Sequence, residues 1–499
     1  MSRAYLSLLV LLILAHASPV LADGSQLVPT PRARALAASA TNRPFLAAAQ
    51  AQQPVDLAAR GYAEAELLVS GYASVYEWSD AAAEGAAVMA RDAGTPYTTR
   101  MLVRRPQDAA RFSGRVVVEL LDASGEHDIA PLWGLSWEHF LRRGDVWVGV
   151  TVAPAAAATL QKFDAVRYGA LNFALRQPPG CADPQDGGNG LAWDLIAQVG
   201  ALLRSSSKEN PLLDLNPQRV LVAGYSQAGG YVTTFANALH QQLRLGDGSP
   251  IFNGYLNAAG AQVVVPINQC AAPLPAADAR RGAMPRDVPF VTVMTESDFD
   301  RALPLRRDDS DAPGDQFRLY EIAGAAHSGP FAAGVPAARD LAIAGLAVPA
   351  ETLCRETRSD FPVGYAFNAI WQQFDDLLVQ RLPMVSLSRI EAAADGSPLT
   401  DANGNAMGGW RLPQLEVPLA RYAGHSTPQQ DNERAQRVCA LTGAMQRFDS
   451  ARLKTLYRDR SEYLRRFNAA IDVAVQGRLL VKEDAEALKA PPVRTLPAF

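Results

Sequence analysis

The chain has 499 residues, 48% hydrophobic and 20% charged, with a formal net charge of -4 at pH 7. That length buries one large core or two ordinary ones, and the composition is not that of a disordered chain. With charges nearly balanced and no long Lys/Arg run, there is no electrostatic footing for nucleic acid.

Residues 1–22 read as an export signal. Arg3 supplies the positive start, Leu6 to Leu14 form the apolar stretch, and Val20 and Ala22 are small residues ahead of Asp23. The apolar run falls short of the ~20 residues of a membrane span, which favours cleavage over an uncleaved anchor. No later segment is apolar enough to cross a bilayer. A periplasmic or secreted protein is expected, without stable membrane insertion once the signal is gone. The four cysteines, Cys181, Cys270, Cys354 and Cys439, suit two disulfides in an exported chain, with three possible pairings. None has zinc-site spacing, no His/Asp/Glu cluster has ligand spacing, and no metal or cofactor is expected.

Residues 23–60, rich in Ala, Pro and Gln without a steady period, read as a loosely packed N-terminal lead. From 61 to 499 a single domain is expected. Strand-like segments follow at Ala65 to Tyr76, Tyr97 to Arg105, Arg115 to Leu121 and Asp145 to Val152. Val116-Val117-Val118 and Val146-Trp147-Val148-Gly149-Val150 are nearly continuous apolar runs, which suit strands covered on both faces. Residues 154–190 read as an irregular insertion holding Pro178, Pro179 and Gly187-Gly188. Leu191, Leu195, Val199 and Leu202 then fall at helical spacing. A fifth strand, Arg219 to Ala223, precedes a helix marked by Ala228, Val232, Phe235 and Leu239. Tyr255 to Ala259, Phe290 to Met294 and Phe317 to Ile322 complete eight strands. Strands alternating with helices predict an α/β fold with a mostly parallel sheet. The tail from about 330 carries helical stretches such as Leu464, Phe467, Ile471 and Val475, and reads as an added helical lobe.

Gly224-Tyr225-Ser226-Gln227-Ala228 joins the fifth strand to its helix. Small residues flanking a serine on a sharp strand-to-helix turn let the two backbones approach, and Ala228 stands where glycine is usual. A serine hydroxyl needs a base, and the base needs an acid to hold its tautomer. Of six histidines, His327 alone lies in a glycine-bounded loop after a late strand, in Ala323-Gly324-Ala325-Ala326-His327-Ser328-Gly329. The strand before that one runs into Thr295-Glu296-Ser297-Asp298. Asp298 lies at the usual depth beyond its strand. Glu296 is two residues nearer, has a longer side chain, and points the same way in an extended chain. Asp300 is a third option. Serine, acid, histidine is the chain order of the α/β-hydrolases. The developing oxyanion calls for fixed backbone N–H donors: that of Gln227, and one from the loop Leu121-Asp122-Ala123-Ser124-Gly125, with Ala123 and Ser124 the candidates. Trp133 and Trp137 are candidates for an acyl-pocket wall or for core packing.

The sequence resembles the large bacterial alpha/beta hydrolase domain family of exported proteins over nearly the whole mature chain. The likeness is carried by Gly61-Tyr62-Ala63-Glu64-Ala65-Glu66, Thr98-Thr99-Arg100-Met101-Leu102-Val103-Arg104-Arg105-Pro106 and Phe163-Asp164-Ala165-Val166-Arg167-Tyr168. It continues through Gly224-Tyr225-Ser226-Gln227, Thr295-Glu296-Ser297-Asp298, Ala323-Gly324-Ala325-Ala326-His327 and Asp401-Ala402-Asn403-Gly404-Asn405-Ala406-Met407-Gly408-Gly409. The resemblance implies a serine hydrolase fold, with Ser226 as nucleophile, His327 as base and Asp298 or Glu296 in the acid region. It names no substrate. The expected activity is hydrolysis of a small-molecule carboxylic ester through an acyl-enzyme. Acyl transfer by the same residues, or a non-catalytic binding protein on this scaffold, are the alternatives.

Overall fold

The computed structural model describes residues 26–37, 42–79, 87–175, 181, 190–260, 265–275, 278–347 and 353–490. The signal-like stretch 1–22 and the Pro178-Pro179 and Gly187-Gly188 pieces lie outside them. A short strand β1 (Gln26–Leu27) pairs in parallel with β8 (Leu243–Arg244), apart from the main sheet. That main sheet contains β2 (Arg32–Leu36), β3 (Tyr62–Trp78), β4 (Val88–Pro106), β5 (Arg115–Leu120) and β6 (Val146–Val150). It continues with β7 (Arg219–Tyr225), β9 (Gly254–Ala258), β10 (Arg286–Thr295), β11 (Ser310–Ala312) and β12 (Asp315–Ile322). Their order is β11-β12-β10-β9-β7-β5-β6-β4-β3-β2.

The six strands from β12 to β6 run parallel, and every residue of β5, β6 and β9 is buried. Helices on the faces take these strands out of water, at ~1.5–3 kcal/mol for each large apolar side chain fully buried. Their carboxyl ends finish level: Leu120 pairs with Gly224, Tyr225 with Ala258, and Thr295 with Ile322. The loops after β5, β7, β10 and β12 therefore share one rim.

The expected α/β sheet is present, with ten strands where eight are predicted. The two additions, β2 and β11, are short edge strands with half-buried or exposed residues, so neither leaves a hydrophobic run to read. Helices follow as α1 (Pro131–Arg143), α2 (Pro154–Phe163), α3 (Ala165–Tyr168), α4 (Ala192–Arg204) and α5 (Gln227–Ala238). The 154–190 insertion thus opens on α2 and α3 rather than irregular chain, because Pro154 stands in the first turn ahead of an alanine run.

The lead is better packed than its composition suggests: Phe45 and Leu46 have no exposed surface. Buried arginines hold it. Arg104 donates to the Leu46 carbonyl (2.8 Å) and to Glu64 (2.8 Å), and Arg100 donates to the Phe45 carbonyl and to Glu66 (Nε to Oε1, 2.6 Å). Glu66 also accepts from Arg167 (2.6 Å) and Tyr168 (2.8 Å) of α3.

After β10 comes the short α6 (Phe299–Ala302), and the tail contains α7 (Ala338–Ile343), α8 (Gly364–Gln380), α9 (Pro413–Glu416), α10 (Glu433–Leu441), α11 (Ser450–Leu456), α12 (Arg460–Gln476) and α13 (Lys482–Lys489). It also contains the antiparallel pair β13 (Ala420–Ala423) and β14 (Ala444–Arg447). Only its last part forms a lobe with its own apolar cluster, from Leu453, Tyr457, Tyr463, Phe467 and Ile471. Leu464, one residue off that face, is 39% exposed. In contrast α8 belongs to the main core, where Phe367, Ile370 and Trp371 are fully buried. Disulfides join Cys181 to Cys270 and Cys354 to Cys439.

Candidate active site

The turn between β7 and α5 holds Ser226 at φ 53° and ψ -120°, a conformation that costs a non-glycine residue ~1–3 kcal/mol. Its N–H donates to the Ala258 carbonyl (2.8 Å), and its carbonyl accepts from Gly229 (3.0 Å), so both sides of the turn are fixed. A Cβ at Gly224 would stand 2.2 Å from the Ala228 carbonyl oxygen, which restricts that position to glycine. Ala228 itself is buried without conflict.

Ser226 Oγ lies 3.0 Å from His327 Nε2, and His327 Nδ1 lies 2.9 Å from Asp298 Oδ1. The second oxygen of Asp298 accepts from the backbone (3.2 Å) and hydroxyl (2.6 Å) of Thr295, at the end of β10. Residues 296–298 form a 3-10 turn, with Asp298 closing a capping box on Thr295. The imidazole is held from its backbone as well. The His327 N–H donates to Ser297 Oγ (2.9 Å), whose hydroxyl donates to the Gly424 carbonyl, and Tyr225 OH donates to the His327 carbonyl (2.7 Å).

Glu296 faces elsewhere. Its two oxygens accept from the N–H groups of Gly324 (2.6 Å) and Gly424 (3.0 Å), tying the histidine loop to the β13 end. Burial pushes its carboxyl above the ordinary range, against those two donors. Asp300 is exposed on α6.

The oxyanion candidates meet a carboxylate that the sequence reading passed over. Asp122 Oδ2 accepts from the Gln227 N–H (3.0 Å), and Oδ1 accepts from the Ser124 N–H (3.1 Å) and hydroxyl (2.6 Å). Burial raises its carboxyl above the ordinary value, opposed by Ser124, His327 and Gln227. Its only sequence signal was its place beside Ala123 and Ser124. Ala123 packs with Ala153 and Ala156.

Trp133 is a core residue and not a pocket wall: it has no exposed surface, and its ring lies 5.2 Å from that of Trp147. The Arg104 guanidinium covers both rings, at 4.3 and 4.5 Å. Trp137 is partly buried, with Arg60 over its ring at 5.6 Å. Among the described residues no group of three or more His, Cys, Asp or Glu is placed to hold a metal ion, and no helix is long and apolar enough to cross a membrane.

A glucuronoyl esterase from Solibacter usitatus shares 11% identity over 59% of this chain and 82% of its own, with a TM-score of 0.29. A thermostable esterase from Pseudomonas putida ECU1011 shares 13% over 59% of this chain and 84% of its own, with a TM-score of 0.30. The siderophore hydrolase EstA from Aspergillus nidulans shares 15% over 52% and 76%, with a TM-score of 0.26. No curated protein matches the chain. A family model, described as an alpha/beta hydrolase domain, matches residues 28–490. With that match over a parallel sheet whose strand-to-helix turn carries Ser226, the chain belongs to the alpha/beta hydrolase domain family.

Proposed function

We propose that the protein is a serine hydrolase that cleaves carboxylic esters of small molecules through an acyl-enzyme. The observation that carries this reading is the unbroken path from Ser226 Oγ to His327 Nε2 and from His327 Nδ1 to Asp298. In the first half-reaction His327 Nε2 removes the hydroxyl proton as Ser226 Oγ attacks the ester carbonyl. Asp298 keeps the other ring proton on Nδ1 and stabilises the imidazolium that forms. Backbone N–H groups at the start of α5 and in the loop after β5 (Gln227 with Ala123 or Ser124) take the oxyanion charge. Collapse expels the alcohol, which receives its proton from His327. Water, activated by the same ring, then releases the acid and restores Ser226.

Reaction with a fluorophosphonate probe tests this directly. Wild-type protein is expected to be labelled once per chain, and Ser226→Ala is expected to lose both the label and ester turnover, kcat falling by about 10⁶-fold. An unlabelled wild type would leave the scaffold without this chemistry. The proposal includes export: the two disulfides support an oxidising compartment. N-terminal sequencing of protein from a periplasmic fraction is expected to begin at Asp23, and an intact Met1 there counts against it.

A further inference from the structure

The main chain of His327 is held at both its N–H and its carbonyl by side chains, and each belongs to the residue just before another triad member. The His327 N–H donates to Ser297 Oγ (2.9 Å), and Ser297 precedes Asp298. The Tyr225 hydroxyl donates to the His327 carbonyl (2.7 Å), and Tyr225 precedes Ser226. Tyr225 is the last residue of β7 and is 2% exposed. Two rings of the histidine loop pack against its own, His327 at 5.4 Å and Phe331 at 5.9 Å, and Phe367 of α8 lies at 6.4 Å. Burial, with Asp298 and Asp122 nearby, pushes its hydroxyl well above the ordinary tyrosine range, so it stays a donor at every working pH. Ser297 gives its own proton to the Gly424 carbonyl, which leaves its oxygen to accept from His327.

We propose that Tyr225 and Ser297 are positioning residues that act as one clamp, fixing the main chain of His327 so that its ring meets Ser226 and Asp298 together. The proposal rests on the ester-hydrolase reading and adds to it the groups that set its geometry. An imidazole turns about two bonds between ring and backbone, so contacts at its two nitrogens fix the ring only where the backbone is fixed as well. The four residues before His327 are Ala or Gly and carry no side-chain donor or acceptor for that purpose. Because the phenol and the nucleophile sit on consecutive residues, drift of His327 away from Ser226 strains the Tyr225 bond too. Ser297 and Asp298 couple in the same way on the acid side. Release at either end lets the ring move, and a misplacement of ~1 Å costs on the order of 10²-fold in rate. Both side chains act through His327 and neither is given a proton to carry in the reaction.

The test is kcat and KM for 4-nitrophenyl acetate, counted per active site by fluorophosphonate titration, with wild type, Tyr225→Phe, Ser297→Ala and the double variant. Each single variant is expected to lower kcat by about 10- to 100-fold with KM within about twofold of wild type. Tyr225→Phe keeps the ring packing, and the His327 carbonyl keeps the Gly329 N–H (3.1 Å), so the fold is spared. The double variant is expected within about threefold of the slower single variant, because parts of one unit do not add. Across pH the Tyr225→Phe profile is expected to fall as a whole and keep its shape, the phenol being a donor throughout. Single variants with wild-type kcat per site, losses that multiply in the double variant, or a profile that changes shape each overturn the proposal. If Tyr225→Phe does not fold, Ser297→Ala carries the test alone, and a wild-type kcat per site there overturns it. Labelling of wild type separates the failures. A labelled, active wild type with indifferent variants removes only the clamp, whereas absence of label and of turnover removes the hydrolase reading with it.

Discussion

The parallel part of the sheet carries a buried polar cluster at each end, and the two clusters are built differently. At the amino ends Arg115 is fully buried. It pairs with Asp145 and Asp375 (NH1 to Oδ2, 3.1 Å) and donates to the Trp371 carbonyl (2.6 Å), while Arg219 takes the other oxygen of Asp375 (3.0 Å). Every carboxylate there has a permanent cation. At the carboxyl end of the sheet, Asp122 after β5 and Asp298 after β10 are held instead by backbone N–H groups, hydroxyls and one imidazole. Permanent counter-charges lock a cluster in one state. A carboxylate held by neutral donors and a titratable ring leaves a proton free to move, as acid–base work demands. The sheet therefore ends in an ion-paired staple on one side and in a cluster free of permanent cations beside Ser226 on the other.

Substitutions at the two ends are expected to separate activity from stability. Asp298→Asn, with the imidazole tautomer no longer enforced, is expected to lower kcat by about 10⁴-fold while the melting temperature moves little. Steady-state kinetics with thermal unfolding reads both. Arg115→Met leaves buried Asp145 without its cation, while Asp375 keeps Arg219, and is expected to destabilise by about 3–5 kcal/mol in urea unfolding. Active-site titration of the folded fraction is expected to return the wild-type kcat. An activity loss confined to the folded molecules would merge the two ends into one device. Smaller is the effect of Glu296→Gln, which removes one acceptor from a pair of backbone donors: about 1–3 kcal/mol in stability, with kcat reduced less than tenfold. If Glu296→Gln abolished turnover while Asp298→Asn spared it, the assignment of the acid would move two residues back.

The sequence made the parallel centre of the sheet plain, because Val116 to Val118 and Val146 to Val150 are covered on both faces and must be apolar throughout. Edge strand β2 was invisible: its alternating Arg and Ala residues form a strand only because β3 offers a partner. The spacing of Ser226, His327 and the acid loop also stood out, since all three follow strands that finish at one rim. Choosing between Glu296 and Asp298 required the local backbone. An extended chain points both the same way, but each residue of a 3-10 turn rotates the side chain by about 120°, and the two diverge. Asp122 carries no signal of its own in the sequence, because the Gln227 N–H that it accepts from lies 105 residues away. Trp133 could not be placed without Arg104, which is distant in sequence and covers its ring.

The hydrogen bond from the Ser328 N–H to the Leu441 carbonyl (2.8 Å), like that from the Ser297 hydroxyl to the Gly424 carbonyl and that from the Gly424 N–H to Glu296, ties the histidine loop and the turn before it to chain made more than a hundred residues later. Synthesis runs from the amino terminus, so the β-sheet and its serine turn emerge well before the braces that steady the imidazole. A growing chain thus presents Ser226 before the hydrogen bonds that brace the His327 loop can form, and a product cut short near residue 330 lacks them.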